Sequence, residues 1–206
     1  KADYFREHFA GDGISVAGVV ANRQSQSRAG LLFKRLSQLM LNTRSIRILR
    51  GYQISLGKSV WYRLFFRFVQ LLGSSLAVIR VVRFLDFHLS PKNLFADVIR
   101  EHRPDAIVCT DVLNENDVSL MQDARRRQIP ILGMVRSWDN LTVLGLMRIL
   151  PDRLLVTTEH LKQEAVTMNG MRPDRITVVG VPHYDGYRTG PKMPRNEFFR
   201  KVYNNH

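Results

Sequence analysis

The chain has 206 residues, 45% of them hydrophobic and 24% charged, enough for one domain or two small ones with a true core. Its single cysteine, Cys109, excludes an intrachain disulfide and a cysteine-based zinc cluster. Net charge is +13, and 12 of those charges fall in the 73 residues between Asp12 and Asp86, which hold no acid at all; so localised a positive field attracts phosphates or acidic lipid headgroups.

In chain order, residues 1–22 read as the truncated start of an α/β domain. Ala2 to Phe9 suits the end of a helix and "ISVAGVV" (Ile14 to Val20) a strand. The chain opens on Lys1 without a visible signal peptide, so an upstream segment is expected. Residues 23–89 form a basic, apolar helical region. "AGLLFKRLSQLMLNTRSIRIL" sets Leu32, Leu36, Leu39 and Met40 at helical spacing, and a second apolar run follows from Val60 to Phe87, with Gly73-Ser74-Ser75 expected to break it. That run is too charged for a transmembrane helix. Two readings stand: apolar faces packed on a sheet with solvated arginines, or an interfacial segment touching an anionic membrane through Trp61, Arg63, Phe66, Arg67, Arg80 and Arg83.

Residues 90–188 carry an α/β rhythm. Ser90-Pro91 suits a helix start, with the helix running to His102. "DAIVCT", "IPILGMV", "RLLVTT" and "RITVVG" read as short, continuously apolar strands, with helices expected at Asp117 to Gln128 and Glu159 to Asn169, the latter closed by Gly170. The pattern predicts a Rossmann-like, doubly wound parallel sheet, covered on both faces and carrying a basic helical insertion. Residues 189–206 read as a linker containing Gly190, Pro191 and Pro194, then a short helix.

In an open parallel sheet, ligands bind beyond the carboxyl ends of the strands. Four exits are polar: "TDVLNEND" (Thr110 to Asp117), "RSWDNLT" (Arg136 to Thr142), "TEH" (Thr158 to His160) and "GVPHYDGY" (Gly180 to Tyr187). Some of these residues have a plain structural reading. Thr158 and Glu159 suit a helix start, and Asn114 and Asp117 suit a turn and cap. "RSWDN" is harder to reduce to structure: Arg136, Ser137, Asp139 and Asn140 offer partners to hydroxyls, and Trp138 offers a flat face to a sugar. No GxGxxG, Walker A, GxSxG or HExxH pattern is present, so hydride transfer, P-loop hydrolysis and serine hydrolysis have no support. Neither a cofactor nor a metal is expected.

The run "RPDAIVCTDVLNENDVSLMQDARRRQIPILGMVRSWDNLTVLGLM", with "PDRLLVTTEHLKQEAVTMNGMRPDRITVVGVPHYDGY", resembles the amino-terminal half of GT-B-type glycosyltransferases. It is most similar to bacterial surface-polysaccharide enzymes and their CDP-glycerol glycerophosphotransferase relatives. The motifs that carry this are "SWDNLT", "PDRLLVTTEHLKQEAV" and "ITVVGVPHYD". The resemblance implies an acceptor-binding half, with the nucleotide-sugar donor held mainly by a carboxyl-terminal domain to which "PRNEFFRKVYNNH" leads. It implies a glycan or lipid-linked acceptor and a cytoplasmic enzyme, peripheral at the inner face of the plasma membrane.

On that reading a base is needed near the attacking hydroxyl. Asp139 is the first choice, then Glu115 and Asp111. Arg136, Ser137, Trp138, Asn140, Glu159, His183 and Asp185 are the expected substrate-binding groups. Two alternatives remain open: a sugar-nucleotide 2-epimerase of the same architecture, and a non-catalytic module for anionic lipid or nucleic acid. Nucleic acid is the less expected partner, because the basic stretch interleaves arginine with large apolar residues.

Overall fold

The structure is a computed structural model and describes residues 2–11, 13–18, 27–55, 60–189 and 193–203. After α1 (Ala2–Phe9), four helices follow: α2 (Arg28–Leu39), α3 (Arg44–Ser55), α4 (Val60–Gly73) and α5 (Leu76–Leu89). Next come α6 (Ala96–His102), β1 (Ile107–Cys109), α7 (Glu115–Arg126), β2 (Ile131–Met134), α8 (Asn140–Val143), β3 (Arg153–Val156), α9 (Glu159–Asn169) and β4 (Ile176–Val178). The chain closes with α10 (Asp185–Thr189) and α11 (Arg195–Tyr203).

The fold is mixed α/β on a parallel sheet of the Rossmann-like kind. All four expected strands form where the apolar runs stand, and they pair in the order β1-β2-β3-β4. Strand order follows chain order, so the winding does not reverse among the described strands. One face is fully covered. Ile107, Cys109, Ile131, Leu154, Val156 and Ile176 share a core with Val118 and Met121 of α7, Leu141 of α8, and Leu161 and Ala165 of α9. The alternate residues face the other way and are not covered as the sequence predicts. Val108 is 62% exposed, Arg153 and Thr177 are exposed, and Leu132, Met134 and Leu155 are half-buried. Unbroken apolar strands imply two-sided burial, but the described helices supply one side.

Local chemistry explains several boundaries. Thr158 Oγ1 accepts from Leu161 N and Gly170 adopts φ +65°, so α9 begins and ends where the sequence places it. The expected helix start at Ser90 is displaced to Ala96. Ser90 instead ends α5 and donates its hydroxyl to Asp86, while the Asp123 carboxylate of α7 accepts from Asn93 N and Phe95 N. Ile14 joins Gly11 in one isolated antiparallel bridge, and no strand runs from Ser15 to Gly18. Val19 and Val20, and the linker residues Gly190 and Pro191, lie outside the described residues.

The basic region packs chiefly on itself and not on the sheet. Met40, Leu41, Ile46, Phe66, Val69 and Ile79 form a second core with Leu146. It meets the α/β unit at the β2–β3 connection and α9. Thr43 Oγ1 donates to Thr142 O, and Leu146 N donates to Ser37 O. The break at Gly73 falls as expected, and α4 and α5 meet at 95°. A Cβ at Gly73 would stand 1.9 Å from the Met40 carbonyl oxygen, so α4 approaches the end of α2 too closely for any side chain there.

Candidate functional site

A cavity of about 290 Å³ opens beyond the carboxyl ends of β1 and β2, against α2. Its walls come from three stretches far apart in sequence: Lys34, Ser37 and Gln38 of α2; Asp111, Leu113, Asn114, Glu115 and Val118 from the β1 exit into α7; and Arg136, Leu144, Leu146 and Arg148 after β2. Its size is at the low end for small-molecule sites.

The β1 exit is shaped by its own side chains. Asp111 Oδ1 accepts from Leu113 N at 3.3 Å, and Asn114 Oδ1 accepts from Asn116 N to start α7. That turn puts Asp111 and Glu115 on the same cavity. Arg136 Nε stands 3.6 Å from Asp111 Oδ2 at the mouth. Arg148 forms the inner wall, its side chain 7% exposed. Its Nε and Nη2 donate to the two oxygens of Asp86 on α5, both at 2.8 Å, and its Nη1 donates to Glu115 Oε2 at 2.6 Å. Burial pushes the Arg148 guanidinium down, but the hydrogen bonds and charges of Asp86 and Glu115 outweigh it and hold the group above its ordinary value. Behind the wall, burial raises the Asp117 carboxyl above the usual carboxylate range; the Asp111 backbone N–H opposes this and the Asp111 charge adds to it. Burial, with the Asp117 charge adding to it, pushes the Cys109 thiol up to about 12.

The structure therefore brings together three of the expected site residues, Asp111, Glu115 and Arg136. The others do not line this cavity. Asp139 accepts the Ser137 hydroxyl at 2.7 Å, and its carbonyl starts α8 by accepting from Thr142 N and Val143 N. Trp138 is 77% exposed, and Asn140 is buried with its amide nitrogen unpaired among the described residues. Glu159 is exposed in the first turn of α9. His183 and Asp185 are exposed at the exit of β4, three strands from β1, on the order of 14 Å at ordinary strand spacing. The four polar exits do share one sheet edge, but only two of them converge with α2.

Sequence reasoning missed Lys34, Ser37, Gln38 and Arg148. Arg148 had a signal: it is the lone charge in the apolar stretch Leu144 to Leu150, where an ion is held only if paired. Lys34 had none, being one cation among the twelve of the basic region. Two expected membrane contacts are corrected by their packing. Phe66 is buried in the second core. Arg83 donates to Met147 O, Asn169 O and Asn169 Oδ1, and burial, with the Arg80 charge adding to it, lowers its pKa to about 10. Trp61, Arg63, Arg67 and Arg80 are exposed.

Among the described residues no three His, Cys, Asp or Glu side chains converge to hold a metal ion. No single described helix is long and apolar enough to cross a membrane. Set against protein-family models, curated proteins and solved structures, the chain matches none of them.

Proposed function

We propose that this chain binds a hydroxyl-bearing, phosphorylated acceptor for group transfer, as the acceptor-side half of a GT-B-type glycosyltransferase or glycerophosphotransferase of bacterial surface-glycan synthesis. The observation that carries the reading is one cavity lined by two carboxylates, Asp111 and Glu115, and by two cations outside the Asp86–Arg148 pair, Lys34 and Arg136. Carboxylates accept hydroxyl protons, and cations hold a phosphate. The likeness of "SWDNLT", "PDRLLVTTEHLKQEAV" and "ITVVGVPHYD" to that enzyme class supports the direction of the reading.

The carboxylates divide the work. Glu115 is engaged by Arg148 and orients the ligand. Asp111, largely buried in the cavity wall beside the exposed Arg136, takes the proton of the attacking hydroxyl. The acceptor oxygen then bonds to the activated carbon or phosphorus of the donor, whose bond to the nucleotide leaving group breaks. Asp139, the first choice from sequence, gives way to Asp111 because it does not line the cavity and its carboxylate accepts the Ser137 hydroxyl.

Calorimetric titration of the full chain with glycerol 3-phosphate and hexose phosphates tests the reading. Binding is expected to weaken at least tenfold in Arg136→Ala and in Asp111→Asn, at unchanged thermal stability. Failure of every phosphorylated polyol to bind, or wild-type affinity in both variants, removes this cavity as the acceptor site.

A further inference from the structure

Helix α4 is apolar on two sides. Phe66 and Val69 face inward and lie in the second core. At 3.6 residues per turn, Trp61, Leu64, Phe65, Phe68, Leu71 and Leu72 fall within about 120° of arc on the opposite side. All six are exposed, Trp61 at 79%. In an ordinary surface helix the outward side is polar; here it is the larger apolar side. Arg67 lies about 40° beyond the Leu71 edge of that arc and Arg63 about 80° beyond it; both are exposed, and α4 has no acid. Helix α5 repeats the pattern: Val81, Phe84 and Leu85 are exposed with Arg80 beside them, while Ile79 and Asp86 are buried.

The geometry points to an anionic lipid bilayer as the occupant: we propose that α4 lies in the headgroup layer, with its outward apolar side dipped into the acyl boundary, Arg67 at its edge on lipid phosphates and Arg63 adding to the positive field above them. Charge selects this partner. The twelve cations and no acids between Asp12 and Asp86 suit an anionic surface, and an apolar ridge edged by arginines suits acyl chains beneath phosphates. α4 alone is too short to cross, and although α4 and α5 together have the length and apolarity of a bent span, the anchorage of α5 favours a surface position. The fourteen residues of α4 span about 21 Å against a hydrocarbon core of roughly 30 Å. The α5 arm is tied to the α/β unit through Asp86–Arg148 and through Arg83. This inference is independent of the acceptor reading, because none of the residues placed against the lipid lines the cavity.

The test is vesicle co-sedimentation of the full chain with pure phosphatidylcholine and with a 3:1 phosphatidylcholine–phosphatidylglycerol mixture. Trp138→Phe is used as background so that Trp61 alone reports fluorescence. Partition onto the anionic vesicles is expected, with a blue shift of Trp61 and weakening at high salt. Arg63→Gln with Arg67→Gln lowers partition about 30-fold, and Phe68→Asp lowers it at least tenfold; both substitutions are exposed, and an unchanged melting curve confirms the fold. Arg100→Gln with Arg172→Gln removes the same charge elsewhere and leaves partition within about twofold. The proposal is overturned by absent partition, by an equal loss in the Arg100/Arg172 control, by a dimer that shields Trp61 without lipid, or by DNA binding as tight as vesicle binding and sensitive to the same variants.

Discussion

Replacing Asp86 with Ala leaves the Arg148 guanidinium inside the protein without its main counter-ion. Both side chains are almost wholly buried, and two hydrogen bonds of 2.8 Å join them in bidentate geometry. Removing one partner of such a pair costs about 3–5 kcal/mol, because the survivor keeps its desolvation penalty. Arg148 retains Glu115, so the lower end applies, about 3 kcal/mol. For a chain of this size that is a fall in Tm of about 6–12 °C. The double variant Asp86→Leu with Arg148→Met removes both charges at similar volume and is expected to recover most of the loss. Glu115, left alone, faces the cavity and regains water. Urea unfolding followed by far-UV circular dichroism and by tryptophan fluorescence measures all three proteins. A loss under about 1 kcal/mol for Asp86→Ala, or a double variant no more stable than the single, would refute the claim that this pair clamps α5 to the α/β unit.

Two glycines in helices of the basic region should respond with opposite sign. Gly51→Ala in α3 meets nothing within 4 Å and should gain about 0.5–1 kcal/mol, whereas Gly73→Ala drives a Cβ into the Met40 carbonyl and should lose about 1–3 kcal/mol, read from the same urea curves. Asp117→Asn keeps an acceptor for Asp111 N while removing a charge that burial and Asp111 disfavour. Because the folded-state pKa lies above the unfolded value, the wild-type carboxyl costs stability as pH rises through that interval. The variant is therefore the more stable at pH 7, and its advantage shrinks to nothing as pH falls below the carboxylate range; an advantage that grows on acidification contradicts the shift.

Much of the α/β unit is legible in the sequence because its causes are local. Continuous apolar runs between turn residues define β1 to β4, and Thr158 and Gly170 bound α9 through bonds and dihedrals within one turn. The Gly73 break is legible for the same reason. The Ser90 helix start failed because its groups are taken from a distance, by Asp86 and by Asp123.

The site divides along the same line. Sequence fixes which sheet edge carries polar exits, since parallel strands all end on one side. It cannot say which exits meet, because that depends on where α2 lands. Asp111 and Arg136 gain Lys34 from more than seventy residues upstream, and Arg148 finds Asp86 sixty-two residues away. Asp139 drops out through a bond to a neighbour two residues before it, a rotamer choice that composition does not encode. The basic stretch shows the same split. Its lack of acids is a property of the sequence alone, but which of its aromatic residues are core and which are surface, Phe66 inward and Trp61 outward, is decided only when α4 turns one of its two apolar sides to the protein.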